Sequence, residues 1–139
     1  MKKRWQDFED QVRDIASRIY AKPCKPAHVG GSDVDGVILV DKANTLLIEI
    51  TVNSTIEKVR GDLNKLVNVR NALFMKGNFA RCMIVLDREP TTSMLQEGDG
   101  VNIDVISHNQ LAASFIEYAR YRSARLQYPF GSAVDPKTG

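Results

Sequence analysis

The chain has 139 residues, of which 43% are hydrophobic and 26% charged, and a formal net charge of +2. A chain of this length suits one domain that buries roughly 70% of its unfolded surface behind a single core. The ordinary composition excludes a disordered or fibrous class, and two cysteines and two histidines without metal-ligand spacing (Cys24, Cys82, His28, His108) exclude a zinc site.

Trp5, Phe8, Val12, Ile15, Ala16, Ile19 and Tyr20 recur at helical spacing and predict an amphipathic helix over residues 4–21. Pro23 and Pro26 end it, and a loop through Gly30 and Gly31 leads into a first acidic strand, residues 32–40. Residues 41–44 read as the turn of a hairpin to a second strand, residues 45–52, antiparallel to the first. Ser54 as N-cap and Glu57 three residues later form a capping box for a long helix, with Ile56, Val59, Leu63, Leu66, Val67, Leu73 and Phe74 as its apolar stripe and Gly77 near its end. Residues 80–87 make a buried strand, which can run parallel to an earlier one because a helical crossover precedes it. A mostly polar loop over 88–100, a short strand over 101–106 and a final helix over 109–126 complete a domain of residues 1–127. Residues 128–139 have no periodicity and read as an irregular tail.

No stretch approaches the length of a membrane span and no charged-then-apolar leader opens the chain, so a cytoplasmic protein with reduced thiols and no membrane partner is expected. Lys2, Lys3 and Arg4, and again Arg120, Arg122 and Arg125, form basic clusters that suit a polyanion or a solvated helix face. There is no phosphate-binding Gly-Lys-Ser/Thr loop and no Gly-X-Ser-X-Gly elbow. Asp33 to Gly36 begins like a calcium loop, but Val37 occupies a ligand position and Asn44 stands where the closing glutamate belongs.

Glu49 lies in one of the most apolar runs of the chain, Thr45 to Val52. A carboxylate buried there must be paired, hydrogen-bonded or metal-bound. Asp33 and Asp35 share one face of their strand, as Glu49 and Thr51 share one face of theirs. All four meet on the same side of the sheet if the hairpin pairs odd positions with odd. A turn of only residues 41–44 would pair Val40 with Thr45 and separate them, so a site requires a longer or shorter loop, or a bulge. On the first helix Glu9 falls inside the apolar arc. Hard divalent cations take such oxygens, and Mg²⁺ needs only one or two protein carboxylates.

The order of a helix with Glu9, a strand with Asp35, a hairpin, a strand with Glu49, a helix and a strand resembles the PD-(D/E)XK nuclease superfamily over roughly residues 5–110. Asp35 and Glu49-Ile50-Thr51 match two of the motif's three parts, and Thr51 stands in place of its lysine. The resemblance implies an α/β, restriction-endonuclease-like fold, a central mixed β-sheet flanked by helices. It implies a metal-dependent endonuclease that cleaves DNA phosphodiesters, such as the nuclease domain of a restriction or defence protein. Asp35 and Glu49 would bind Mg²⁺ or Mn²⁺, with Asp33 as an auxiliary ligand and Glu9 assisting. Some members supply the lysine from the following helix; Lys58, nearest Thr51, is the first candidate and Lys65 the second. The alternative for Lys58, Asp62 and Lys65 is a solvated ridge. DNA is the implied partner, and two-strand cutting would call for a homodimer. The alternative function is a catalytically inactive nuclease-like module that binds nucleic acid or protein.

Overall fold

A computed structural model describes residues 4–127, with side chains over residues 4–117. Its elements are α1 (Arg4–Tyr20), β1 (Lys25–Val29), β2 (Ser32–Leu39), β3 (Asn44–Thr51), α2 (Ile56–Phe74), β4 (Phe79–Leu86), α3 (Thr92–Gly100), β5 (Asp104–Ser107) and α4 (His108–Gln127). The expected tail, and the basic residues Lys2, Lys3, Arg120, Arg122 and Arg125, lie outside the described residues or side chains.

The five strands form one sheet in sequence order, β1-β2-β3-β4-β5. The first two pairings are antiparallel, as short hairpins permit, and β3, β4 and β5 run parallel across the helical crossovers. This is an α/β architecture with a mixed sheet. β3 lies at its centre and is buried from Thr45 to Thr51, which explains its nearly continuous apolar sequence. Ile48 and Ile50 face α1 together with Val12, Ala16, Ile38, Met83, Val85 and Leu111. Leu47 faces α2 with Val59, Leu63, Leu66, Val69, Ile84 and Leu86. Each fully buried aliphatic side chain among them contributes about 1.5–3 kcal/mol relative to exposure.

Two elements were not expected from the sequence, and the last strand, expected over 101–106, begins only at Asp104. β1 was expected as loop, because Pro23 and Pro26 suggested breakers and the strand's own residues are mostly exposed. It nevertheless pairs with β2 through a two-residue turn, in which Gly30 and Gly31 have φ of +55° and +86° and Val29 pairs with Ser32. Two positive-φ residues are what this tight hairpin turn requires. The expected loop over 88–100 contains α3, capped by Thr91, whose hydroxyl accepts the Met94 N–H at 3.2 Å. Its glycines had argued against a helix, but Gly98 is there for space: a Cβ would lie 2.6 Å from the Ile103 carbonyl oxygen. Gly98→Ala should therefore destabilise the fold by about 1–3 kcal/mol, because overpacking against backbone outweighs the gain of ~1 kcal/mol in helix propensity. Urea unfolding would measure it, and unchanged or increased stability would contradict the close approach.

The cap of α2 also moves by one residue. Thr55, rather than Ser54, accepts the Lys58 N–H at 3.2 Å, while buried Ser54 donates its hydroxyl to Asp87 at 3.4 Å. The capping box with Glu57 is thus replaced by a single Thr55 cap.

Candidate active site

The hairpin between β2 and β3 decides whether the acids can meet. Leu39 pairs with Thr45 and Gly36 with Ile48, so odd positions oppose odd ones. The loop is longer than residues 41–44: the Val40 and Asp41 N–H groups both donate to the Asn44 carbonyl, at 3.0 and 3.2 Å. Asp41 holds this turn by accepting the Ala43 N–H at 2.8 Å and the Asn44 side-chain amide at 2.9 Å, the local bonding that makes aspartate a turn residue.

On the other side of β2 the pairing passes from Ala27↔Val34 to Lys25↔Val37. Asp35 and Gly36 thus oppose the single residue Pro26, a β-bulge at a position where proline has no N–H to offer. The bulge turns both Val34 and Val37 toward α2. It also places Asp35 where the β2–β3 ladder ends after Gly36↔Ile48. There the two acids take over the ladder's hydrogen bonds. Asp35 Oδ2 accepts the Ile50 N–H at 2.9 Å, and Glu49 Oε1 accepts the Asp35 N–H at 3.2 Å.

Glu49 is 3% exposed, and its second oxygen pairs with Lys65 Nζ at 3.0 Å. Lys65 lies on α2 two turns beyond Lys58. One turn before Lys65, Asp62 accepts the Thr51 hydroxyl at 2.5 Å. The other layer contributes Arg13 of α1, which donates to the Asp35 carbonyl oxygen at 3.0 Å, to Glu9 at 3.3 Å and to Asp10 at 2.8 Å. Asp35 therefore lies between a Glu9–Arg13 pair on α1 and a Glu49–Lys65 pair on β3 and α2.

Burial and the crowding of acids raise several carboxyl pKa values. The Glu49 carboxyl is pushed up to about 7, first by burial and then by the Asp35 charge, with Lys65 opposing. Glu9 is raised for the same two reasons, against Arg13, and Asp62 is raised by burial, against the Thr51 hydrogen bond.

A carboxyl whose pKa is higher folded than unfolded stabilises the fold when protonated. That contribution is fully present below the ordinary value of 4.5 and is lost as pH rises through about 7. In chelator, Glu49→Gln should thus gain roughly 1–3 kcal/mol relative to the parent protein between pH 4.5 and pH 7.5. Glu9 and Asp62 titrate in both proteins and cancel in the difference. Urea unfolding across this range would show it, and a pH-independent difference would contradict the strained carboxylate.

The other sequence candidates lie apart from this constellation. Asp33 is almost fully exposed and its Oδ1 is 2.8 Å from His28 Nδ1. The Lys58 amine donates to the Val52 carbonyl at 3.1 Å on the exposed side of α2. His108 begins α4 and packs its ring against Phe8, with centroids 5.4 Å apart. Arg13 was not singled out from sequence, although its position four residues after Glu9 is the ion-pair spacing of a helix. Lys65 was ranked second because Lys58 is nearer Thr51 in sequence, and both lie off the apolar stripe. The stripe was a poor guide here, since the β3 positions that the first half of α2 meets are Glu49 and Thr51.

Asp35 and Glu49 supply the hard oxygens a divalent cation takes. Asp35 Oδ1 accepts no hydrogen bond among the described residues, whereas Oδ2 is engaged by Ile50. The raised Glu49 pKa means that a cation here would relieve repulsion already present. Among the described residues no group of three or more His, Cys, Asp and Glu side chains is placed to hold a metal ion, so any such site rests on this pair. No family model matches the chain, nor does any curated protein or solved structure.

Proposed function

We propose that this chain is a metal-dependent endonuclease that hydrolyses phosphodiester bonds in DNA, on a restriction-endonuclease-like fold. The observation that carries the reading is the meeting of Asp35, Glu49 and Lys65. Glu49 accepts the backbone N–H of Asp35 on the adjacent strand, near enough for the Asp35 charge to raise the Glu49 pKa, and an ammonium from the following helix pairs with Glu49. The motif lysine missing at Thr51 has a substitute in Lys65. The element order, with an acidic hairpin followed by a helix and a parallel strand, agrees with the same reading.

In this reading Asp35 and Glu49 hold Mg²⁺ or Mn²⁺. When bound, the ion supplies a water of lowered pKa and positive charge against the phosphodiester. Lys65 orients the attacking water beside Glu49 and stabilises the charge that develops on phosphate oxygens. Arg13 fixes the Asp35 carbonyl and Glu9, and Glu9 accepts a hydrogen bond from water at the site. The buried face of Glu49 keeps these interactions strong, because screening by solvent is reduced there.

The test is incubation with supercoiled, linear and single-stranded DNA, and with RNA, in Mg²⁺, in Mn²⁺ and in chelator. Cleavage of DNA that requires either metal is expected. No cleavage of any form with either metal would overturn the proposal. Binding that weakens steeply with salt but gives no turnover would point instead to an inactive nucleic-acid-binding module. Among the described residues no helix is long and apolar enough to cross a membrane.

A further inference from the structure

Thr51 occupies the position of a catalytic lysine in the motif, yet its side chain is neither solvated nor idle. It is 8% exposed and donates its hydroxyl to Asp62 at 2.5 Å. Asp62 is a half-buried carboxylate on α2, three residues before Lys65 and therefore on the same face of the helix. Lys65 in turn pairs with Glu49, two residues before Thr51 on the same face of β3. Two strand residues and two helix residues thus form a closed set. Thr51 is joined to Asp62 and Glu49 to Lys65, while Asp62 and Lys65 are neighbours on one helical face. Burial of an acid costs free energy that this site does not need for packing, since an apolar residue at 62 would suit the helix equally well.

We propose that Asp62 is a positioning residue for Lys65: anchored by the Thr51 hydroxyl, its carboxylate places negative charge beside the Lys65 stem and holds the ammonium against Glu49. The inference rests on the nuclease reading only for its kinetic consequence; the holding of the ammonium stands independently of it. It also gives Thr51 a role. A threonine replaces the motif lysine because the position now serves the carboxylate that steers the substitute lysine from α2. Loss of Asp62 removes the neighbouring negative charge and leaves the Lys65 ammonium, held by Glu49 alone, a wider range of rotamers, as loss of an outer partner does at metal centres.

The experiment has two readouts on the full chain. The first is the ¹⁵N–¹H signal of the Lys65 ammonium in metal-free protein, assigned by its disappearance in Lys65→Met. An ammonium held against a buried carboxylate exchanges slowly enough to be seen. The signal should be present in the parent protein and in Asp62→Glu, and lost in Asp62→Ala and Thr51→Val. The second is kcat for DNA cleavage. Asp62→Ala should lower it by about 10- to 100-fold with little change in KM, Asp62→Glu should restore part of it, and Asp62→Ala should cost nothing further in a Lys65→Met background. Asp62→Asn, which keeps the Thr51 hydrogen bond and loses only the charge, replaces Asp62→Ala if that variant fails to fold. A Lys65 signal that persists without the Asp62 charge, or that is absent from the parent protein, would overturn the proposal. So would kcat losses that add fully to that of Lys65→Met. If the parent protein cleaves nothing, the nuclease reading fails and the ammonium signal alone decides the role of Asp62.

Discussion

Glu49→Gln is expected to reduce metal-dependent DNA cleavage by about 10³-fold or more, equivalent to ~4 kcal/mol of barrier, while leaving the fold intact. The geometry explains why so small a change should matter. Both oxygens of Glu49 are acceptors, one for the Asp35 N–H and one for the Lys65 ammonium. Glutamine offers one acceptor and one donor, so either the Asp35 N–H or Lys65 meets an N–H group in place of an oxygen. It also removes the negative charge that a divalent cation requires. The fold should survive because the lost ion pair is offset by relief of a charge that burial and Asp35 already penalise. Cleavage assays in Mg²⁺, with circular dichroism and urea unfolding alongside, test both halves. Activity within tenfold of the parent protein would remove Glu49 from the site.

The second large effect separates the two lysines. Lys65→Met should lower kcat by about 10²- to 10⁴-fold, the range for loss of a positioned charge or proton-transfer group. Lys58→Met should cost far less, because the Lys58 amine serves an exposed carbonyl at Val52. Lys65→Met should also tighten Mn²⁺ binding rather than weaken it, since the Lys65 ammonium competes with the ion for Glu49. Loss of turnover with retained or improved metal affinity is thus the expected signature, read by calorimetric titration beside the kinetics. The reverse pattern, with Lys58→Met inactive and Lys65→Met active, would return the motif lysine to the start of the helix.

Much of the architecture was legible because hydrophobic periodicity reports the layers directly. α1, β2, β3, α2 and β4 fall within a residue or two of their expected bounds, and each alternates or repeats toward a neighbour that covers it. β1 and α3 were not legible for opposite reasons. β1 buries little, so its strand character comes from pairing with β2 and not from its own side chains. α3 contains glycines that local propensity disfavours, and it is held by the Thr91 cap and by Met94 buried in the core, with Gly98 leaving room for the backbone at Ile103.

At the site, sequence alone determined that Glu49 needed a partner, since a carboxylate in so apolar a run has no other affordable state. It also offered Asp35 and Glu9 as partners, subject to the hairpin register, and marked Thr51 as the break in the motif. Whether Asp35 and Glu49 could meet was decided only by tertiary structure, through two irregularities of backbone pairing: the extended loop at Val40 to Asn44 and the bulge opposite Pro26. Each shifts the register by one residue, and one residue in a strand exchanges one face of the sheet for the other. The choice of Lys65 over Lys58 was likewise tertiary, because the helical rotation that matters is the one relative to β3. Periodicity measures only the rotation relative to an apolar core, and Glu49 and Thr51 are polar positions of β3 beside that core, reached by Lys65 and Asp62 from the edge of the stripe.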